Sequence, residues 1–247
     1  MLANDVLIEP RRLPGDPLID HPIIFNLFEP YMEFLRQELK VKKSELKKNR
    51  FPSTVYLTTK VGRKKISVFG TPLGAPHAVI MLERLIAMGA QKIFALGCCG
   101  SLQTYLSIGS FVIPLSALSE EGTSAHYPLP QGAVAAADAQ IVNICLTKCA
   151  EKKIKPVSGK VWTTDALFRE TREKVKKYSQ SNLLAVEMEM SALFTVAAYR
   201  HVQLAGIMVV SDELATLKWK TGFLNPLFWM NSKKAAQVAI ETCLALA

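Results

Sequence analysis

No stretch of this sequence reaches the roughly 18 consecutive apolar residues of a membrane-spanning helix, although 49% of its 247 residues are hydrophobic. The first residues scatter Asp5, Glu9 and Arg11 where a leader peptide would carry a compact apolar segment, so a soluble, cytoplasmic protein without a membrane partner is expected. Cysteine is scarce. Five thiols, an odd number with Cys98 and Cys99 adjacent, make no disulfide framework, and no CxxC pair has accompanying histidines, which argues against structural zinc. No metal and no cofactor are expected. Repeats, low-complexity tracts and linkers are lacking too. The length suits one large α/β domain or two small ones, and the missing linkers favour a single domain over 1–247.

Acidic residues are outnumbered 21 to 30 by lysine and arginine, for a net charge of +9. Much of the excess lies in residues 40–50, KVKKSELKKNR, near Lys60, Lys64 and Lys65. A solvated helix face or loop is the plain explanation, and attraction of phosphate or a phosphorylated substrate is the functional one. No aromatic interleaving or nucleic-acid motif accompanies the run, so nucleic acid is not an expected partner.

Hydrophobic periodicity and turn residues give the element order. A strand is expected at 6–8, then a proline-glycine turn at 13–17, an amphipathic helix within 23–46, and a hairpin of 54–59 with 65–69 around Gly62. The loop 70–74, GTPLG, feeds a helix with Pro76 in its first turn and a stop at Gly89. The strand 92–96 runs into a glycine-bounded turn, Gly97-Cys98-Cys99-Gly100-Ser101, whose amides can approach an anion or a flat base closely. Further strands are expected at 110–115, 156–162 and 205–210, with helices at 133–152 and 233–246. The stretch 219–230, rich in aromatics and broken by Gly222 and Pro226, reads as a mobile flap or a packed surface loop. Alternating strands and helices predict an α/β protein, a three-layer α/β/α sandwich with a mixed, partly barrel-like central sheet.

The chemistry concentrates in residues 183–214. Glu187 and Glu189 flank Met188 at the mouth of a helical run, and the apolar strand 205–210 ends abruptly in Ser211 and Asp212. The plain readings are favourable charge at a helix N-terminus and, for Asp212, a helix cap. The run AVEMEMSALFTVAAY followed by an apolar strand and SDEL, however, resembles the ribose-and-base signature of the nucleoside phosphorylase family, which includes purine nucleoside phosphorylases, uridine phosphorylases and related nucleosidases. Gly15 in the turn LPGDP and the segment GCCGS resemble that family's phosphate and base loops.

The resemblance implies a nucleoside as substrate and phosphate as possible co-substrate. Glu189 would accept hydrogen bonds from the ribose hydroxyls, with Met188 on the sugar face and Glu187 in support. Asp212 would be the general acid on a purine ring nitrogen, which requires a pKa raised from about 3.9 by partial burial. Cys99, Gly100, Ser211 and an aromatic, Phe168, would bound the base. Gly15, Cys98 and Arg50 would lie by the phosphate, and a homo-oligomer, a dimer or a trimer of dimers, would complete the site. Three departures bear on the nucleophile. Ile19, Ala95 and Cys98 stand where the family's phosphorylases carry arginine, arginine and serine or threonine, so phosphate would lose charge-assisted hydrogen bonds. The leading expectation is phosphorolysis of a purine-type nucleoside; a phosphate-independent nucleosidase and a non-catalytic nucleoside-binding protein are the alternatives. His126, in the loop EEGTSAHYP, lacks an orienting partner in the sequence and is read as a surface histidine.

Overall fold

The structure, a computed structural model, describes residues 6–48, 54–70, 72–129 and 131–247. In chain order it runs β1 (Ile23–Asn26), α1 (Tyr31–Glu38), β2 (Lys47–Lys48), β3 (Val55–Val61), β4 (Lys64–Gly70), α2 (Ala75–Ala87), β5 (Lys92–Ser101), β6 (Phe111–Glu120), α3 (Ala139–Glu151), β7 (Val157–Thr164), α4 (Arg172–Gln180), β8 (Ala185–Glu187), α5 (Met190–Tyr199), β9 (Gln203–Glu213), β10 (Lys220–Thr221) and α6 (Pro226–Leu246). The sheet order is β10-β9-β6-β7-β8-β5-β1-β4-β3-β2, and β9 pairs back onto β5. The strands β5, β8, β7, β6 and β9 thus close a barrel, and β1, β4, β3 and β2 extend from its β5 side. Helices α2 and α5 pack together on one face, and α1, α3 and α6 on the other, which is the expected sandwich around a partly barrel-like sheet. No helix among the described residues is long and apolar enough to cross a membrane.

Several expected elements shift, for identifiable reasons. The run Ile23-Ile24-Phe25 is a strand, lying between β4 and β5 and parallel to both, and wholly buried. A strand covered on both faces shows no alternation, and a short apolar run satisfies either period, so the helix expected from residue 23 begins only after Pro30. Residues 6–8 form no strand; Leu7 and Ile8 lie in solvent. Helix α3 starts late because Asp138 caps it, accepting from Ile141 N at 2.9 Å. Helix α6 starts early, with Asn225 as its cap and Pro226 in the first turn, so the supposed flap is divided between β10 and α6.

The segment 97–101 is likewise strand rather than turn. Its glycines serve close approach: a Cβ on Gly97 would sit 3.3 Å from Leu27 Cβ, and one on Gly100 would sit 2.6 Å from Leu214 Cδ1 and 3.0 Å from Asp212 Oδ2. One edge of β5 pairs with β1 as far as Leu96 and with β8 from Gly100 onward. Cys98 and Cys99 therefore sit where two neighbouring strands part, the place at which open α/β sheets form a crevice.

Register in the barrel depends on Gly206, where an added Cβ would meet the Ala95 carbonyl oxygen at 2.6 Å and Ala95 Cβ at 2.9 Å. Gly206→Val should destabilise the protein by about 1–3 kcal/mol through overpacking. Urea unfolding checks this, and an unchanged midpoint would contradict the β5–β9 pairing.

Candidate active site

Strand register brings Trp162, Val186, Gly100 and Asp212 side by side across β7, β8, β5 and β9. Between Val210, paired with Cys99, and Asp212, paired with Gly100, β9 carries one extra residue, Ser211. Such a bulge re-aims the side chains beside it. The Ser211 hydroxyl lies 2.7 Å from Asp212 Oδ1 and 3.2 Å from the Cys99 carbonyl oxygen, two acceptors for its one proton. The indole Nε1 of Trp219 donates to Asp212 Oδ2 at 2.9 Å. Asp212 is half-buried within β9 and does not cap a helix.

The two glutamates divide the roles that the sequence left together. Glu187, at the end of β8, turns one oxygen to the start of α5, where it accepts from Glu189 N and Met190 N, each at 2.7 Å. Its other oxygen accepts the Thr163 hydroxyl proton from the end of β7. Thr163 Oγ1 in turn accepts from Ser191 N at 3.0 Å, and the Ser191 hydroxyl donates to Glu121 Oε1 at 2.9 Å. Glu187 therefore is the helix-terminal acid of the plain reading. Glu189, although it occupies the cap position, makes no cap hydrogen bond; its Oε1 accepts from Gly74 N at 2.7 Å.

Burial raises both carboxyls. Glu189 is pushed up to about 8, by desolvation and then by the charge of Glu187, against the opposing Gly74 amide. Glu187 is pushed up to about 7 by burial despite its three donors. The Cys98 thiol is lifted to about 12 by burial above all, against a hydrogen bond to Ser211, with the charges of Glu189 and Asp212 adding to the rise. Cys99 is acted on by Asp212 and Glu187. Register places the three acids close: Val186, which precedes Glu187, and Asp212 flank Gly100, and Glu187 accepts from Glu189 N. Met188 is half-buried between the two glutamates.

Other expected site residues lie elsewhere. Gly15 belongs to a turn held at the C-terminal end of α2, where Arg84 Nη2 donates to Asp16 Oδ2 at 2.6 Å and Ile19 N donates to the Met88 carbonyl at 2.9 Å. Gly74, which touches Glu189, precedes the other end of that 13-residue helix, about 20 Å away at 1.5 Å per residue. The turn that does reach the crevice is 27–30, after β1, where Leu27 N donates to Leu96 O at 2.8 Å; two residues past its proline stands Met32, buried. Ala95 is core, packed on Gly206. Phe168 is 95% exposed and contributes no wall to the crevice. His126 is exposed and lines an apolar groove with Leu13, Tyr127 and Tyr199 rather than facing the acids. Arg50 lies outside the described residues. Among the described residues no three histidine, cysteine or acidic side chains form a metal-binding group. Sequence reasoning missed Glu121 and Ser191, which follow no periodic pattern, and took Trp219 only as part of a loop.

A family model for the phosphorylase superfamily matches residues 27–245. The chain belongs to that superfamily. The match begins at Leu27, in the turn after β1 and beyond Gly15. The DeoD-type purine nucleoside phosphorylase of Caldanaerobacter subterraneus is 30% identical over 211 residues, covering 85% of each chain. That of Thermoanaerobacter pseudethanolicus is 29% identical over 225 residues, 91% of each. Among solved structures, a purine nucleoside phosphorylase from Toxoplasma gondii bound to immucillin-H superposes with a TM-score of 0.79 over 99% of this chain and 98% of that one, at 22% identity. A uridine phosphorylase from Vibrio fischeri gives 0.76 over 92% of both, also at 22%. This is an enzyme fold of the nucleoside phosphorylase type, and the gathered acids sit at its strand ends.

The raised carboxyls have a consequence for stability. The folded protein holds these protons more tightly than the unfolded chain, whose glutamates titrate near 4.5. Their stabilisation is therefore complete below pH 4.5 and is lost as the pH rises through about 8. Unfolding free energy should fall between pH 5 and 8, and the fall should be shallower in Glu189→Gln; an equal slope in the variant would show that Glu189 is not a buried proton holder.

Proposed function

We propose that the protein cleaves the N-glycosidic bond of purine-type nucleosides by phosphorolysis, releasing free base and pentose 1-phosphate. The observation that carries this reading is the strand register that sets Val186, just ahead of Glu187 and Glu189, and Asp212 on either side of Gly100. Membership of the phosphorylase superfamily supports the reaction class. As the glycosidic bond lengthens, positive charge grows on the sugar and negative charge on the base. Glu189, fixed by the Gly74 amide and by the helix start that Glu187 caps, hydrogen-bonds the sugar hydroxyls and orients the ring. Met188 packs on the sugar's apolar face. The base lies toward Gly100, Ser211 and Asp212, and the Asp212 carboxyl gives a proton to the purine ring nitrogen as negative charge develops there. A phosphate oxygen then attacks the anomeric carbon from the side opposite the base. We place the enzyme in the cytoplasm, as a homo-oligomer acting in nucleoside salvage.

A second reading, hydrolysis by water, is favoured by one specific feature. The charges that act on Cys98 and Glu189 come from carboxylates; Phe28, Tyr31 and Met32 stand in the turn and first helical residues after β1, and the arginine of that helix, Arg36, is paired with Glu33. Incubation with inosine, adenosine or uridine, with and without phosphate, separates the readings. Phosphorolysis predicts base release that requires phosphate and yields ribose 1-phosphate, with Glu189→Ala slower by about 100-fold or more as a lost transition-state contact. Free ribose without phosphate would replace it by hydrolysis, and preference for uridine would overturn the purine assignment.

A further inference from the structure

Asp212 stands near the end of β9, where the chain turns back on itself as a hairpin. Leu217 N donates to the Leu214 carbonyl at 2.8 Å to make the turn, and β10 returns antiparallel, with Lys220 opposite Glu213 and Thr221 opposite Asp212. Trp219 lies two residues before Thr221, so it shares the face of Asp212 as its diagonal neighbour, a spacing that an aromatic side chain can bridge. Beyond β10 the return is clamped onto the Ser211 bulge: Gly222 N donates to the Ser211 carbonyl at 2.8 Å, and a Cβ on Gly222 would meet that oxygen at 2.5 Å. From this fixed base the indole Nε1 reaches Asp212 Oδ2 at 2.9 Å, while the residue stays 69% exposed. Core packing does not place a ring left this open. Its position is set by the hairpin and by the one hydrogen bond that its only polar atom makes, to the acid.

We propose that Trp219 is the positioning residue for proton delivery: its indole N–H fixes the Asp212 carboxyl through Oδ2 and so directs Oδ1 to the departing base. This rests on the purine nucleoside reading above. In the step, the Oδ1–H bond of Asp212 breaks and an N–H bond forms on the purine ring nitrogen N7, while the glycosidic electron pair passes to the base. A phosphate oxygen lone pair makes the new bond to the anomeric carbon, and the carboxylate left behind takes a proton from solvent. Charge appears on Asp212 as its proton departs, and a hydrogen bond to an ionised acceptor is about twice as strong as one to a neutral acceptor. The Trp219 contact therefore strengthens along the reaction, which lowers the barrier without tightening substrate binding. Ser211 acts in the same sense, because its hydroxyl has the Cys99 carbonyl as an acceptor before the transfer and Asp212 Oδ1 after it.

The test is Trp219→Phe, which keeps an aromatic ring and removes the N–H. It is assayed with inosine, whose base needs a proton to leave, and with 7-methylguanosine, whose N7 already carries an alkyl group and a positive charge. With inosine kcat should fall by about 10-fold, the difference between a charged and a neutral hydrogen bond, while KM stays near that of the unmodified enzyme. With 7-methylguanosine the fall should be much smaller. In an Asp212→Asn background the same substitution should lower inosine turnover little further, because the two residues act as one unit. Undiminished inosine turnover in Trp219→Phe, equal losses on both substrates, a change confined to KM, or the full loss repeated in the Asp212→Asn background would each overturn the proposal. If the unmodified enzyme cleaves neither purine nucleoside but does cleave uridine, the purine reading fails instead, and this assignment falls with it.

Discussion

The carboxylate of Glu187 is the contact on which the site depends. A buried carboxylate is costly unless donors replace its water, and Glu187 finds three, the Thr163 hydroxyl and the first two amides of α5. One side chain thereby ties the end of β7, the end of β8 and the start of a helix that is apolar all round and buried among its neighbours. Because those amides are taken, Glu189 is free of cap duty and its carboxyl reaches Gly74 on the far side of the crevice. Glu121 extends the arrangement by accepting from Ser119, Thr123, Ser124 and Ser191, which fastens α5 to the end of β6.

Barrel closure supplies the other half. Pairing of β9 with both β5 and β6 brings the Ser211 bulge beside Gly100, and only glycine leaves room for the Asp212 carboxylate there. On the opposite flank, Phe28, Tyr31, Phe34, Phe223, Phe228 and Trp229 form one aromatic cluster that welds the turn after β1 to the start of α6.

The α/β architecture and most strands were legible in the sequence because each rests on local signals, apolar periodicity and Pro76 and Gly89 around α2; the three acids stood out only through the resemblance of their segment to the phosphorylase family. What was illegible depended on tertiary company. The run Ile23-Ile24-Phe25 becomes a strand only because β4 and β5 flank it. Gly97 and Gly100 look like turn residues until Leu27 and Leu214 are seen against them. The turn at Gly15 resembles a phosphate loop in letters, but it is docked by Arg84 at the wrong end of α2.

The most direct measurement is a crystal structure of the protein soaked with a non-cleavable purine nucleoside analogue. The account predicts a sugar with its hydroxyls on Glu189 and a base edge turned to Asp212, over Cys98 and Cys99. A nucleoside lodged instead in the groove between Leu13 and Tyr199, with the crevice at Cys98 unvisited, would contradict it.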